Sequence, residues 1–301
     1  MQVTIAGVTL RSPVIAASGT FGYGVEFEEI VDLSKLGAFV TKGLSRAPME
    51  GNKAPRLIET SAGMMNAIGL QNVGVESFIA EKLPKIRKIR DVACIANVFG
   101  YTIEDCVAVV EKLNEADGVA MYELNASCPN TRHGGMTFGT HPAMLAELVV
   151  AVKSASKRPV MVKLSPNVTS IAQMAAVAEG AGADVVSLVN TFVSMSIDIE
   201  TRRPRIKNIT AGLSGPAIKP IAVRMVWEAA RAVKIPVVGM GGILTAEDAV
   251  EFLLAGARAV QVGTASYADP RAVEKIATGL KRWCSSHHVM KVGDLTGAMV
   301  I

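Results

Sequence analysis

The chain has 301 residues, with 31 Lys+Arg against 27 Asp+Glu and a formal charge of +4. That surplus is too slight to predict a nucleic-acid partner, and with only 5% aromatic residues there is no basic run interleaved with stacking side chains. Half of the residues are hydrophobic, against 27 glycines and 13 prolines, which excludes disorder and collagen-like repeats. No apolar stretch of about 18 residues is free of charge; even Met174 to Val193 carries Glu179 and Asp184. No membrane span is therefore expected. The opening MQVTIAGVTLRSP lacks a basic segment followed by an apolar one, so no secretory signal is expected either. Cys94, Cys106, Cys128 and Cys284 are far apart, forming neither a disulfide framework nor a metal or iron–sulfur array. A reducing cytoplasm fits such a chain.

Along the chain, VTIAGVTL places Ala6-Gly7 between two alternating runs and predicts a hairpin. Eight short apolar runs follow, at Val14–Ala17, Ala38–Thr41, Ala93–Val98, Val119–Leu124, Val160–Leu164, Val185–Val189, Val237–Gly239 and Ala259–Val262. Flanked by Gly or Pro, they read as strands buried on both faces of a parallel sheet. Helical periodicity fills the intervals, at Val25–Leu33, Val75–Ile89, Ile103–Asn114, Pro142–Ser154, Ile171–Ala181, Pro220–Val233, Ala246–Leu254 and Arg271–Trp283. Thr102 and Thr245 stand as N-caps, each with an aspartate three positions on. Gly37, Gly182 and Gly256 are expected as left-handed residues that end helices before strands. Eight strand–helix alternations predict a (β/α)8 TIM barrel with an N-terminal β-hairpin, a single domain over residues 1–301. A doubly wound open sheet is the alternative. The extra length falls in βα loops at 42–74, 126–141 and 190–215, on the face where barrel enzymes build active sites.

The candidate chemistry gathers at those strand ends. Cys128, in NASCPN after the fourth barrel strand, is a candidate nucleophile, redox thiol or general base. Cys94 and Cys106, on a strand and on the apolar face of a helix, read as packing. Lys42 and Lys163 end apolar strands, where an ammonium is costly unless it meets an anion or an acceptor. Asn66, Asn97, Asn125 and Asn190, the last followed by Thr191, offer amides to a planar hydrogen-bonding molecule. GMGGI and QVGTA end the last two strands with Gly241, Gly242, Gly263 and Thr264. After strands seven and eight of a barrel, such turns present backbone N–H groups to a phosphate. No cluster of residues has metal-ligand spacing, so no metal is expected.

Taken together, SGTFGYG, FVTKGLS, MMNAIGLQNVGVE, ANVFG, LNASCPNTRHGG, VKLSPN, VNTF, GLSGPAIKP, GMGGI and QVGTA resemble class 1 dihydroorotate dehydrogenases over essentially the whole chain. NASCPN followed by HGG is more similar to the NAD-linked 1B branch than to the fumarate-linked 1A branch. The resemblance implies a flavoprotein oxidoreductase of pyrimidine biosynthesis. Its FMN would lie against Ser18, Lys42, Gly43, Asn97, Asn125, Lys163, Val189, Gly215, Gly241, Gly242, Gly263 and Thr264. Dihydroorotate would be held by Lys42, Asn66, Ala67, Ile68, Gly69, Leu70, Asn125, Asn190 and Thr191. The implied catalytic groups are Cys128 as base, with Lys42 and Lys163. The implied assembly is a homodimer of this chain joined by an electron-transfer subunit carrying FAD and an iron–sulfur cluster, a heterotetramer passing electrons to NAD. This chain itself has neither a G-x-G-x-x-G turn after a strand nor the clustered cysteines for that relay.

Readings from other classes remain. The same barrel could serve a flavin-free lyase or isomerase with Lys163 as Schiff-base amine, a dihydropyrimidine dehydrogenase-like flavoenzyme, or a non-catalytic binding subunit. Colour separates the first from a flavoenzyme, and turnover of dihydroorotate with an artificial acceptor separates the last.

Overall fold

Ala6 and Gly7 both take positive φ, +45° and +80°, and turn strand β1 (Val3–Ile5) back on β2 (Val8–Leu10) as an antiparallel hairpin. Two consecutive left-handed residues match the right-handed twist of the flanking strands, so the hairpin follows from the sequence. The structure is a computed structural model that describes residues 1–126 and 135–300, with the backbone alone for 135–137.

The remaining strands, in chain order, are β3 (Val14–Ala16), β4 (Ala38–Val40), β5 (Leu57–Thr60), β6 (Gly63–Asn66), β7 (Ala93–Val98), β8 (Met121–Asn125), β9 (Val160–Lys163), β10 (Val185–Leu188), β11 (Phe192–Met195), β12 (Ile197–Asp198), β13 (Arg203–Pro204), β14 (Thr210–Ser214), β15 (Val237–Met240) and β16 (Ala259–Val262). Eight of them close into one parallel barrel in the cyclic order β3-β4-β7-β8-β9-β10-β15-β16. These are the eight runs expected from the sequence, displaced by at most two residues at their ends. The open doubly wound sheet is thereby excluded. Every residue of β3, β4, β9, β10, β15 and β16 is buried, because helices cover the outer face and packed side chains fill the inner one.

The helices are α1 (Gly74–Ser77), α2 (Leu83–Ile86), α3 (Ile103–Asn114), α4 (Gly135–Thr140), α5 (Pro142–Ala155), α6 (Ile171–Gly180), α7 (Lys219–Ala232), α8 (Ala246–Leu254), α9 (Ala265–Ala268) and α10 (Ala272–Ser286). In α3 the buried face is Cys106, Val109, Val110 and Leu113, the i, i+3, i+4, i+7 stripe of an amphipathic helix. Thr102 caps it by accepting from the Asp105 N–H, and Thr245 with Asp248 forms a reciprocal capping box on α8.

Three local expectations are corrected. The helix expected over Val25–Leu33 is reduced to 3-10 turns at Val25–Phe27 and Leu33–Lys35. There Glu26 accepts the Tyr23 N–H and Asp32 the Ser34 N–H, side-chain bonds that compete with a helical ladder. The helix expected over Val75–Ile89 is split by a π-helical turn at Phe78–Lys82. Pro84 has no N–H to give the preceding turn, and the ladder shifts so that Leu83 N–H reaches Phe78 O. Gly182 and Gly256 are left-handed as expected, but Gly37 is not. Gly37 serves a close approach instead, since a Cβ there would lie 1.9 Å from Ser12 O.

The long insertions form a feature that the sequence did not announce. β5 and β6 come from the loop after β4, β11 and β14 from the loop after β10, and together they make a four-stranded antiparallel sheet in the order β11-β14-β6-β5. Its central pairing, Gly212 with Asn66 and Leu213 with Met65, joins segments almost half a chain apart. A small core of Met65, Ala67, Ile206 and Ala211 lies beneath it, separate from the barrel core.

Candidate active site at the barrel mouth

The C-terminal ends of the barrel strands and the inner edge of the four-stranded sheet enclose a cavity of about 210 Å³. Ser18 follows β3, its hydroxyl donating to Thr41 O at 2.8 Å. Lys42 and Gly43 follow β4, Asn97 lies on β7, and Asn125 and Lys163 are the last residues of β8 and β9. Val189, Asn190 and Thr191 follow β10, and the glycine turns follow β15 and β16. Asn66 ends β6, Ile68, Gly69 and Leu70 follow it, and Gly215 follows β14. All of these line the cavity, together with Gly241, Gly242, Gly263 and Thr264.

One expected residue is not brought there. Ala67 does not line the cavity: its side chain is fully buried in the small core under the sheet. Its N–H donates to Arg56 O and its carbonyl accepts from Asn52 Nδ2 at 2.9 Å. Strand alternation points it away from the face that Asn66 and Ile68 present. Cys128 lies outside the described residues. The other three cysteines are buried and none lines the cavity. Burial pushes the Cys94 and Cys106 thiols up to about 12, which leaves both as inert packing.

The charge of the lining is one-sided. Among the described residues it includes Lys42 and Lys163 and no aspartate or glutamate. Lys163 is only 7% exposed, and its ammonium meets no hydrogen-bond or ion-pair partner among the described residues. Burial, and then the nearby Arg56 guanidinium, hold the Lys42 pKa below the ordinary lysine value, against a smaller opposing pull from Glu26. Arg56 is fixed by Gln71 Oε1 and Asn52 O. Such a lining selects for an anion or an electron-rich ring.

At the opposite wall, Gly241 and Gly242 have φ of +123° and +81°, a conformation that glycine adopts at least cost. A Cβ on Gly242 would lie 2.8 Å from Gly215 O, and one on Gly241 3.0 Å from the Ala222 Cβ. No acceptor takes the N–H of Gly242, Gly263 or Thr264 among the described residues. Three free donors at the ends of β15 and β16 suit a phosphate.

Sequence reasoning missed Gln261, Met64, Gln71, Ser214, Ile243 and Tyr267 in the lining, and Glu123 beneath it. Glu123 is fully buried inside the barrel, accepting from Asn97 Nδ2 at 2.6 Å, Gln261 Nε2 at 2.6 Å and Ser187 Oγ at 3.0 Å. The signal was a polar residue inside an apolar strand, in MYELN and in AVQVG. The outer oxygens, Asn97 Oδ1 and Gln261 Oε1, are buried without a partner. Among the described residues no group of three His, Cys, Asp or Glu is placed to hold a metal ion, and no helix is long and apolar enough to cross a membrane.

A parallel eight-stranded barrel with a cationic, amide-lined cavity at its C-terminal mouth has the plan of a barrel enzyme. The family profile described as dihydroorotate dehydrogenase matches residues 1–283, and the chain belongs to that family. It is 58% identical over 99% of its length to a Solibacter usitatus protein named "Putative dihydroorotate dehydrogenase A (fumarate)", covering 98% of that relative. It is 55% identical, with the same coverage, to "Dihydroorotate dehydrogenase B (NAD(+)), catalytic subunit" of Pelobacter propionicus. The barrel also superposes on the Eimeria tenella dihydroorotate dehydrogenase solved with ferulenol, with a TM-score of 0.84 at 22% identity over 99% of this chain and 88% of the other.

Proposed function

We propose that this chain oxidises dihydroorotate to orotate as the catalytic subunit of an NAD-linked enzyme of pyrimidine biosynthesis. The carrying observation is the pairing of a lining that, among the described residues, holds two lysines and no acid with the unpartnered amide oxygens of Asn97 and Gln261 at the cavity floor. The reaction removes a proton from C5 and a hydride from C6, and FMN, when bound, supplies the hydride acceptor. The residues present fit that group. Gly215, Gly241, Gly242, Gly263 and Thr264 would hold its phosphate. Ser18, Gly43, Asn97, Val189 and Lys163 would lie along the rest.

Dihydroorotate is an anion with two ring amides. Lys42 answers its carboxylate, and Asn66, Asn125, Asn190 and Thr191 answer the amides and ring carbonyls. Cys128, three residues beyond Asn125, takes the C5 proton as thiolate. Lys163 keeps a buried positive charge in the cavity and stabilises negative charge that develops during the reaction. The four-stranded sheet covers the site and limits the access of water.

Electrons reach NAD through a second subunit carrying FAD and an iron–sulfur cluster, bound to a homodimer of this chain as a heterotetramer in the cytoplasm. The 58% identical relative named for fumarate supports a second reading, in which this chain works alone with fumarate. One experiment decides between them. The purified chain should be yellow, release FMN on denaturation, and oxidise dihydroorotate with a dye but with neither NAD nor fumarate. Efficient fumarate reduction by the chain alone would establish the second reading; a colourless protein without dihydroorotate turnover would overturn both.

A further inference from the structure

Among the described residues, Glu123 is the acidic side chain that bonds the amides of Asn97 and Gln261 at the cavity floor. It is fully buried on β8, and it takes one donor from each of two residues that line the cavity, Asn97 and Gln261. An amide has one donor end and one acceptor end. By taking both NH2 groups, the carboxylate fixes the rotation of both amides and leaves Asn97 Oδ1 and Gln261 Oε1 as the ends not engaged. Those two oxygens are the buried, unpartnered acceptors of the cavity residues. A buried acceptor without a donor costs free energy, which a ligand that brings N–H or O–H groups to this floor would recover.

We propose that Glu123 is a positioning residue that sets the hydrogen-bond polarity of the cavity floor, turning Asn97 and Gln261 so that they present acceptors to the bound flavin. The inference rests on the FMN reading above. Ring N–H and ribityl O–H groups are the donors that FMN has to offer such a floor. The geometry also says why a carboxylate stands there. Three donors converge on it, and a glutamine could accept from only one of its two ends.

That asymmetry supplies the test. In Glu123→Gln the new amide can keep its oxygen toward Ser187 and Gln261, but its NH2 then faces the NH2 of Asn97. Asn97 must rotate, and a donor replaces the acceptor at the floor. In the double variant Glu123→Gln/Asn97→Asp the pair is reversed. The introduced amide donates to one oxygen of the introduced carboxylate, and the other oxygen again faces the cavity with net charge unchanged.

FMN is titrated into flavin-stripped protein and followed by quenching of its fluorescence, with thermal midpoints measured in parallel. E123Q should bind FMN about ten- to a hundredfold more weakly than the parent, the scale of one mispaired buried polar contact. The double variant should fold and recover most of that loss, which a purely structural role for Glu123 would not produce. Parent affinity in E123Q would overturn the proposal, as would a double variant that fails to fold or folds without recovery. A parent chain that does not bind FMN at all would instead refute the flavin reading, which the same titration reveals first.

Discussion

Replacing Lys163 with methionine should move stability and activity in opposite directions. The side chain is 7% exposed, and its ammonium has no partner among the described residues. A buried charge without a counter-charge is held at a cost. Methionine keeps the length of the stem and removes that cost. Because the ammonium faces an open cavity rather than a sealed core, the gain is about 1–2 kcal/mol, or roughly 2–3 °C in the thermal midpoint of flavin-free protein. Turnover of dihydroorotate should fall about 10²–10³-fold, the usual worth of one electrostatic group aimed at developing charge. Calorimetry of the flavin-free protein and a dye-coupled assay of the loaded one read the two effects separately. A variant that is less stable than the parent, or that turns over within threefold of it, would refute the reasoning.

Cys128→Ala should retain FMN and lose about 10²–10⁴ in the rate of dihydroorotate oxidation. Cys128→Ser should be slow near neutral pH and faster as pH rises, and a parent rate in the alanine variant sinks the assignment. Lys42, held below the ordinary lysine pKa of 10.5 mainly by burial, loses its proton at a lower pH than the unfolded chain's lysine. Affinity for dihydroorotate should therefore weaken on the alkaline side before 10.5 is reached. The same group should add stability as pH rises through that window, because the unfolded chain binds the extra proton there. Binding titrations across pH test this, and a Lys42→Met variant that keeps the alkaline decline would exclude Lys42 as its source. Gly241→Val forces φ of +123° on a branched residue and pushes it against Ala222 and Val189. Both FMN content and thermal midpoint should fall, and normal flavin content would move the phosphate elsewhere.

The barrel was legible because each of its strands is a short apolar run that is buried whatever its neighbours are, and β3, β4 and β16 differ from expectation by a residue at most. The caps at Thr102 and Thr245 were legible for the same reason: the donor and acceptor are three residues apart. What stayed hidden depends on partners distant in sequence. LIET, GMMN and TAGLS carry glycine and polar residues and look like loop; only pairing with one another makes them β5, β6 and β14. Ala67 was placed in the site by its membership of the run Asn66–Leu70, and the pleat of the chain turns it the other way. Gly37 reads as a helix terminator, but its reason is the carbonyl of Ser12, which no local pattern contains. Asn97 was visible as a polar residue at a strand end. Its acceptor face was not, because Glu123, Ser187 and Gln261 fix it from three other strands.

The four-stranded sheet bears on how such a barrel could be altered. Barrel engineering often treats each βα loop as a separate part that can be exchanged without touching the next. Here the loop after β4 supplies β5 and β6, the loop after β10 supplies β11 and β14, and the β6–β14 ladder joins them. Transplanting one alone would strip a central strand of its partner and leave a row of open backbone groups at a new edge. It would also divide the four-residue core, since Met65 and Ala67 come from one loop and Ile206 and Ala211 from the other. For grafting and for recombination between relatives, the two loops are one inherited unit, although more than a hundred residues of barrel separate them.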